Sequence, residues 1–145
     1  MPNWVETAVN DYTARMPAEF TVQWKEVKSE QRGASGSVAQ WMSKEAQRIQ
    51  DQISLPCHRV LLDEHGKDLT TKQLSVRMSF WRDQALPVTI IIGGPDGVDD
   101  VIKAQASETI RLSSLTLPHP MVRVVLAEQL YRSWSILANH PYHRA

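Results

Sequence analysis

Val88-Thr89-Ile90-Ile91-Ile92, followed at once by Gly93-Gly94-Pro95-Asp96-Gly97, is the passage that decides the fold. A β-branched run with no polar alternation describes a short strand buried on both faces, the pattern of a parallel sheet. The glycine turn ends it. Upstream, Arg59 to Leu62 reads as a second short strand, Asp63-Glu64-His65-Gly66-Lys67 as a turn, and Leu74, Met78 and Trp81 as one face of a helix that starts after Thr70 and Thr71. Downstream, Val101, Ala104, Gln105 and Glu108 place another helix, and Ile110 to Leu112 one more short strand. Strand, loop, helix, repeated, is the order that builds a parallel α/β sheet covered by helices.

Ligands of open α/β sheets bind outside the carboxyl ends of the strands. Three loops leave at that edge: after Leu62, at Gly93-Gly94, and from Ser113 to Pro118. Together they describe a pocket.

Further out, Trp4, Val5, Ala8, Val9 and Tyr12 recur at helical spacing, with Pro2 in the first turn and Pro17 beyond the end. Phe20, Val22 and Trp24 alternate with polar residues and read as a strand with one buried face. Lys28 to Ser37 is polar and without an apolar anchor, so a mobile loop is expected; Lys25, Lys28 and Arg32 can meet a phosphate there or simply be solvated. Val38, Trp41, Met42, Glu45, Ala46 and Ile49 mark a second helix, stopped before Pro56. From Met121 to Leu137 apolar residues cover more than one helix face, and a second copy of the chain would bury the surplus. A homodimer is expected.

The chain has 145 residues, of which 42% are hydrophobic, and neither linker nor repeat interrupts it, so one domain spanning 1–145 is expected. Sixteen basic and sixteen acidic side chains cancel, which leaves no general attraction for DNA, free RNA or anionic lipid. A single cysteine, Cys57, excludes an internal disulfide and a multi-thiolate zinc site; it reads as buried and inert. No run approaches the roughly 20 apolar residues of a membrane span, and the start lacks signal-peptide character. The expected address is cytoplasmic, with no membrane partner.

Taken singly, the motifs stay ambiguous. Gly93 and Gly94 lack the spacing of a dinucleotide or phosphate loop, so they suit either a flat ligand against bare backbone or a tight turn. Asp63 reads more simply as a turn residue than as a ligand-directed carboxylate. Ser113, Ser114 and Thr116 offer hydroxyls within an apolar segment, which an ordinary strand end also does. Asn139-His140-Pro141-Tyr142-His143-Arg144 crowds two imidazoles, a phenol and a guanidinium into six residues, chemistry suited to a nucleobase and a phosphate. The histidine spacing fits no zinc motif, so no metal is expected.

In combination they are specific. Gly93 to Gly97, Leu112 to Pro120 (L-S-S-L-T-L-P-H-P), Glu128 to Arg132 (E-Q-L-Y-R) and Asn139 to Arg144 (N-H-P-Y-H-R) closely resemble the ribosomal RNA large-subunit methyltransferase H family, of the SPOUT class, and the similarity runs the length of the chain. The resemblance implies an α/β fold with a C-terminal trefoil knot that holds S-adenosylmethionine in a bent shape. It places the cofactor on Leu62, on Gly93 and Gly94, and on Ser113, Ser114, Leu115, Thr116, Leu117 and Pro118. The implied reaction is methylation of N3 of a pseudouridine in 23S ribosomal RNA of the assembled ribosome. An obligatory homodimer is implied too, the tail of one subunit completing the site of the other, with Tyr142, His143 and Arg144 on the substrate side.

Chemistry then assigns tasks within that implication. A sulfonium makes its methyl group electrophilic, so the protein mainly aligns donor and acceptor and assists loss of the N3 proton. His143 can take that proton, and Arg144 can hold a phosphate or a developing anion; His119 is a weaker candidate that can instead cap its helix or fix the loop. One departure stands out. Family members begin with a β-strand ahead of the helix at Trp4, and this chain starts past it, so the sheet is expected to lack that strand. Two alternatives remain open at this level: a noncatalytic ribosome-binding or assembly protein of the same fold, and a nucleotide-using α/β enzyme of another class.

Overall fold

The structure, a computed structural model, describes every residue except Arg32, Ala34, Pro95 and Ala145. Arg32 of the basic loop and Pro95 of the glycine turn therefore lie outside the described residues. The chain forms two compact units: Lys25–Lys67 with Leu86–Arg111, and Met1–Trp24 with Asp68–Ala85 and Leu112–Ala145.

The first of these is the α/β unit. It holds helix α2 (Val38–Gln52), strands β1 (His58–Asp68), β2 (Val88–Ile92) and β3 (Glu108–Arg111), and the short helix α4 (Asp100–Gln105). The strands form one sheet in the order β2-β1-β3. β1 and β2 run parallel in a register that pairs His58 with Val88 and Leu62 with Ile92. The Ser107 N–H donates to the Arg59 carbonyl at 2.8 Å beside β3. Ala46, Leu61, Ile91, Val98 and Ile102 make the core, with Ile49, Ile53 and Ala106 packed against it. α2 starts where Ser37 accepts from the Gln40 N–H and Gln40 reaches back to the Ser37 N–H, a reciprocal cap that satisfies two helix-end donors.

The second unit is helical: α1 (Asn3–Ala14), α3 (Thr71–Asp83) and α5 (His119–Leu137), with α1 and α3 both packed on α5. Thr70 and Gln73 cap α3 in the same reciprocal way. Val5 and Val9 of α1 close on Ala127 of α5 in a fully buried cluster. No residue of α5 is exposed. Its apolar surplus is thus partly accounted for within one chain, because a helix clasped by two others needs more than one apolar stripe.

Several expectations are corrected. Phe20 to Trp24 is not a strand: Ala18–Phe20 is a single 3-10 turn and the chain then runs without a ladder. Val22 and Trp24 are half-buried while Thr21 and Gln23 are exposed, so the alternation is real, but it reports which side faces protein, not strand pairing. The Trp24 indole N–H donates to Thr13 Oγ1 at 2.9 Å, a helix taking the place of a neighbouring strand.

Asp63 to Lys67 is no turn either, since β1 continues through it to Asp68. Gly66 explains this, because a Cβ there would lie 2.5 Å from the Ile110 carbonyl carbon, and only glycine allows so close an approach to β3. Glu108 opens β3 and does not belong to α4, which ends at Gln105. β2, an edge strand, fully buries only Ile91. Cys57 is half-buried. The loop after Lys28 has a polar anchor in place of an apolar one: Arg48 Nη2 meets the Glu30 carboxylate at 2.5 Å, and the Glu30 N–H donates to Glu45 Oε2 at 2.9 Å.

Candidate active site

Two of the predicted cofactor positions, Leu62 and the glycine turn, are neighbours on the sheet of the α/β unit. Leu62 is the last residue of β1 in register with β2, and its partner Ile92 leads directly into Gly93 and Gly94. The glycine turn therefore leaves the sheet beside Leu62, whereas the expected loop after Leu62 is absent because β1 runs on to Asp68. The glycine turn closes on itself through the Gly97 N–H, which donates to the Gly94 carbonyl at 3.0 Å, with Gly97 in the left-handed region at φ 84°.

A Cβ on Gly93 would stand 2.9 Å from Val98 Cγ1, and one on Gly94 3.3 Å from Glu45 Oε1. Packing inside the protein thus requires the first glycine and restricts the second, whatever ligand the loop meets. Glu45, 8% exposed, is a carboxylate that periodicity alone reads as one more residue of a helix face. It stands beside the glycine turn and accepts from the Glu30 N–H. Nothing in its spacing along α2 announces this.

Ser113 to Pro118 belongs to the helical unit and runs without regular structure into α5. Ser113 Oγ accepts from the Leu115 N–H at 2.9 Å, which bends the loop and leaves the Leu115 side chain 75% exposed. Ser114, Thr116 and Pro118 are exposed and Leu117 is half-buried. His119 opens α5, with Nε2 3.3 Å from Arg123 Nη2. Burial, and then the Arg123 charge, hold its pKa below the ordinary value.

The tail is folded onto α5. Asn139, at φ 54°, ends the helix in the left-handed region, and the His140 N–H donates to the Ser135 carbonyl at 2.8 Å. Tyr142 packs edge-on against Tyr131, 4.6 Å between centroids, and its hydroxyl donates to Glu128 Oε1 at 3.1 Å. Burial, then hydrogen bonding to Tyr12 and the Glu128 charge, push the phenol far above its ordinary pKa. Tyr142 is therefore a neutral donor. Arg132 donates through Nε and Nη2 to Glu128 Oε1, each at 2.7 Å, lies over the Tyr142 ring, and places Nη1 3.4 Å from His143 Nδ1. Glu128 and Arg132 are the anchors that a reading of the tail alone omits, although their spacing of four on one helix was a visible signal. Arg144 is exposed.

Among the described residues, no group of three His, Cys, Asp or Glu side chains is placed to hold a metal ion, and no helix is long and apolar enough to cross a membrane.

A sequence model of the predicted SPOUT methyltransferases matches residues 1–143, and the chain belongs to that family. Among curated proteins it is 55% identical over 145 residues to one from Bordetella petrii and 52% identical to one from Bordetella avium, in each case over 100% of this chain and 93% of the relative. A relative from Cupriavidus necator is 51% identical over 148 residues. All three carry the name ribosomal RNA large subunit methyltransferase H.

Proposed function

We infer that this chain is a cytoplasmic S-adenosylmethionine-dependent ribosomal RNA methyltransferase, one catalytic domain over 1–145, that acts as a homodimer on N3 of a pseudouridine in 23S ribosomal RNA of the assembled ribosome. The observation that carries this is identity above 50% along the whole chain to proteins named for that class of reaction. The site supports it from below. Gly93 and Gly94 leave the carboxyl end of β2 beside Leu62, where an α/β sheet binds its ligand, and Ser113 to Pro118 follows β3 in the chain with exposed hydroxyls and a bare leucine.

We assign the cofactor to these residues, the trefoil knot to the C-terminal part, and the substrate side to Tyr142, His143 and Arg144. When bound, the cofactor supplies an electrophilic methyl group. The protein's part is to orient the base and stabilise the charge left when N3 loses its proton. Arg144, exposed at the end of a docked tail, suits a phosphate of the RNA. Formal charge balance leaves little general attraction for free RNA, which suits a substrate recognised by the shape of the assembled ribosome.

The test is transfer of labelled methyl groups to ribosomes lacking the modification, followed by mapping of the base. Incorporation at N3 of a pseudouridine in 23S RNA is expected. Failure with active ribosomes, together with no cofactor binding by calorimetry at millimolar concentration, would favour a noncatalytic ribosome-binding role.

A further inference from the structure

We propose that Arg132 fixes the tautomer of His143 so that the imidazole faces the substrate as an Nε2–H donor, with Arg132 a positioning residue for it. The proposal rests on the assignment of the tail to the substrate side. A guanidinium carries only donors, so the ring nitrogen 3.4 Å from Arg132 Nη1, His143 Nδ1, must offer its lone pair. In a neutral imidazole the proton then sits on Nε2.

Arg132 is not free to turn away. Its Nε and Nη2 are both held by Glu128 Oε1 at 2.7 Å, and its plane lies against the Tyr142 ring, 4.8 Å from the centroid. Tyr142 is tied to the same carboxylate oxygen at 3.1 Å, so Glu128 secures the anchor and the tail together.

The consequence bears on the reaction. With its lone pair occupied at Nδ1 and a proton already on Nε2, His143 is a poor acceptor for the N3 proton, which instead passes to solvent. His143 then donates to a carbonyl oxygen of the base as negative charge spreads onto it, a role in which a fixed donor is most effective.

Two measurements test this on the full chain. In long-range proton–nitrogen NMR of histidine-labelled protein, with His143 assigned by its loss in His143→Gln, the Nε2–H tautomer is expected in the parent and a mixture in Arg132→Met. An Nδ1–H tautomer in the parent, or no change in the variant, overturns the proposal; if Arg132→Met does not fold, the parent spectrum decides alone. In methyl transfer to ribosomes, His143→Gln, which keeps an N–H near the Nε2 position, loses about tenfold or less, whereas His143→Ala loses roughly a hundredfold. Equal losses in the two overturn the donor role. A parent chain that transfers no methyl group defeats the proposed function, and the NMR result then judges the tautomer independently.

Discussion

His119 shows how one residue's surroundings convert into a measurable property. Its folded pKa lies below the ordinary 6.5 because burial and then Arg123 disfavour the cation. The unfolded chain therefore takes up a proton first as pH falls, so the stability contributed by neutral His119 is present above the unfolded pKa and is lost as pH falls through the folded value. Urea midpoints at about pH 7.5 and about pH 5.5 should differ more in the parent than in His119→Asn. An equal difference in both would show that the ring is not held neutral by the fold. In the sequence His119 was visible only as a residue after a proline. Tyr142 and His143 were legible as chemistry and Glu128 and Arg132 as a motif, yet the pairing of the tail with these two was not, because a tail's docking site is set by where the chain turns after Asn139.

At the scale of elements, periodicity located α1, α2, α3 and α5 because each carries a repeating apolar pattern with a cap or breaker at its end, and an unbroken β-branched run located β2. It failed where period and pairing separate. Val22 and Trp24 alternate in burial without a ladder, and Asp63 to Lys67 looks like a turn yet continues β1. Gly66 is the residue on which that continuation depends. Gly66→Ala should cost roughly 2–3 kcal/mol, because the added Cβ meets Ile110 backbone, which cannot rotate aside as a side chain does. Chemical denaturation measures it, and a loss below about 0.5 kcal/mol would mean that β1 and β3 part easily at this point.

For the whole molecule, α5 changes the grounds for a dimer. Part of its apolar surface is taken by α1 and α3, so the proposed homodimer rests on what the resemblance implies more than on hydrophobic surplus. Trp4 at 53% exposed and Leu115 at 75% are apolar groups of the helical unit that a second copy can cover. Light scattering at low micromolar concentration should give twice 16.5 kDa, and a mass of 16.5 kDa would defeat the dimer.

By itself the sequence determined the α/β class, the glycine turn after β2, and the family, because these depend on local period and on ordered short motifs. Only the tertiary structure decided that β1 extends to Asp68, that Glu45 stands at the glycine turn, and that Glu128 and Arg132 hold the tail. The reason is physical. Local pattern records which side of a segment avoids water, whereas a hydrogen-bond partner distant in the chain is chosen by packing that no local pattern contains.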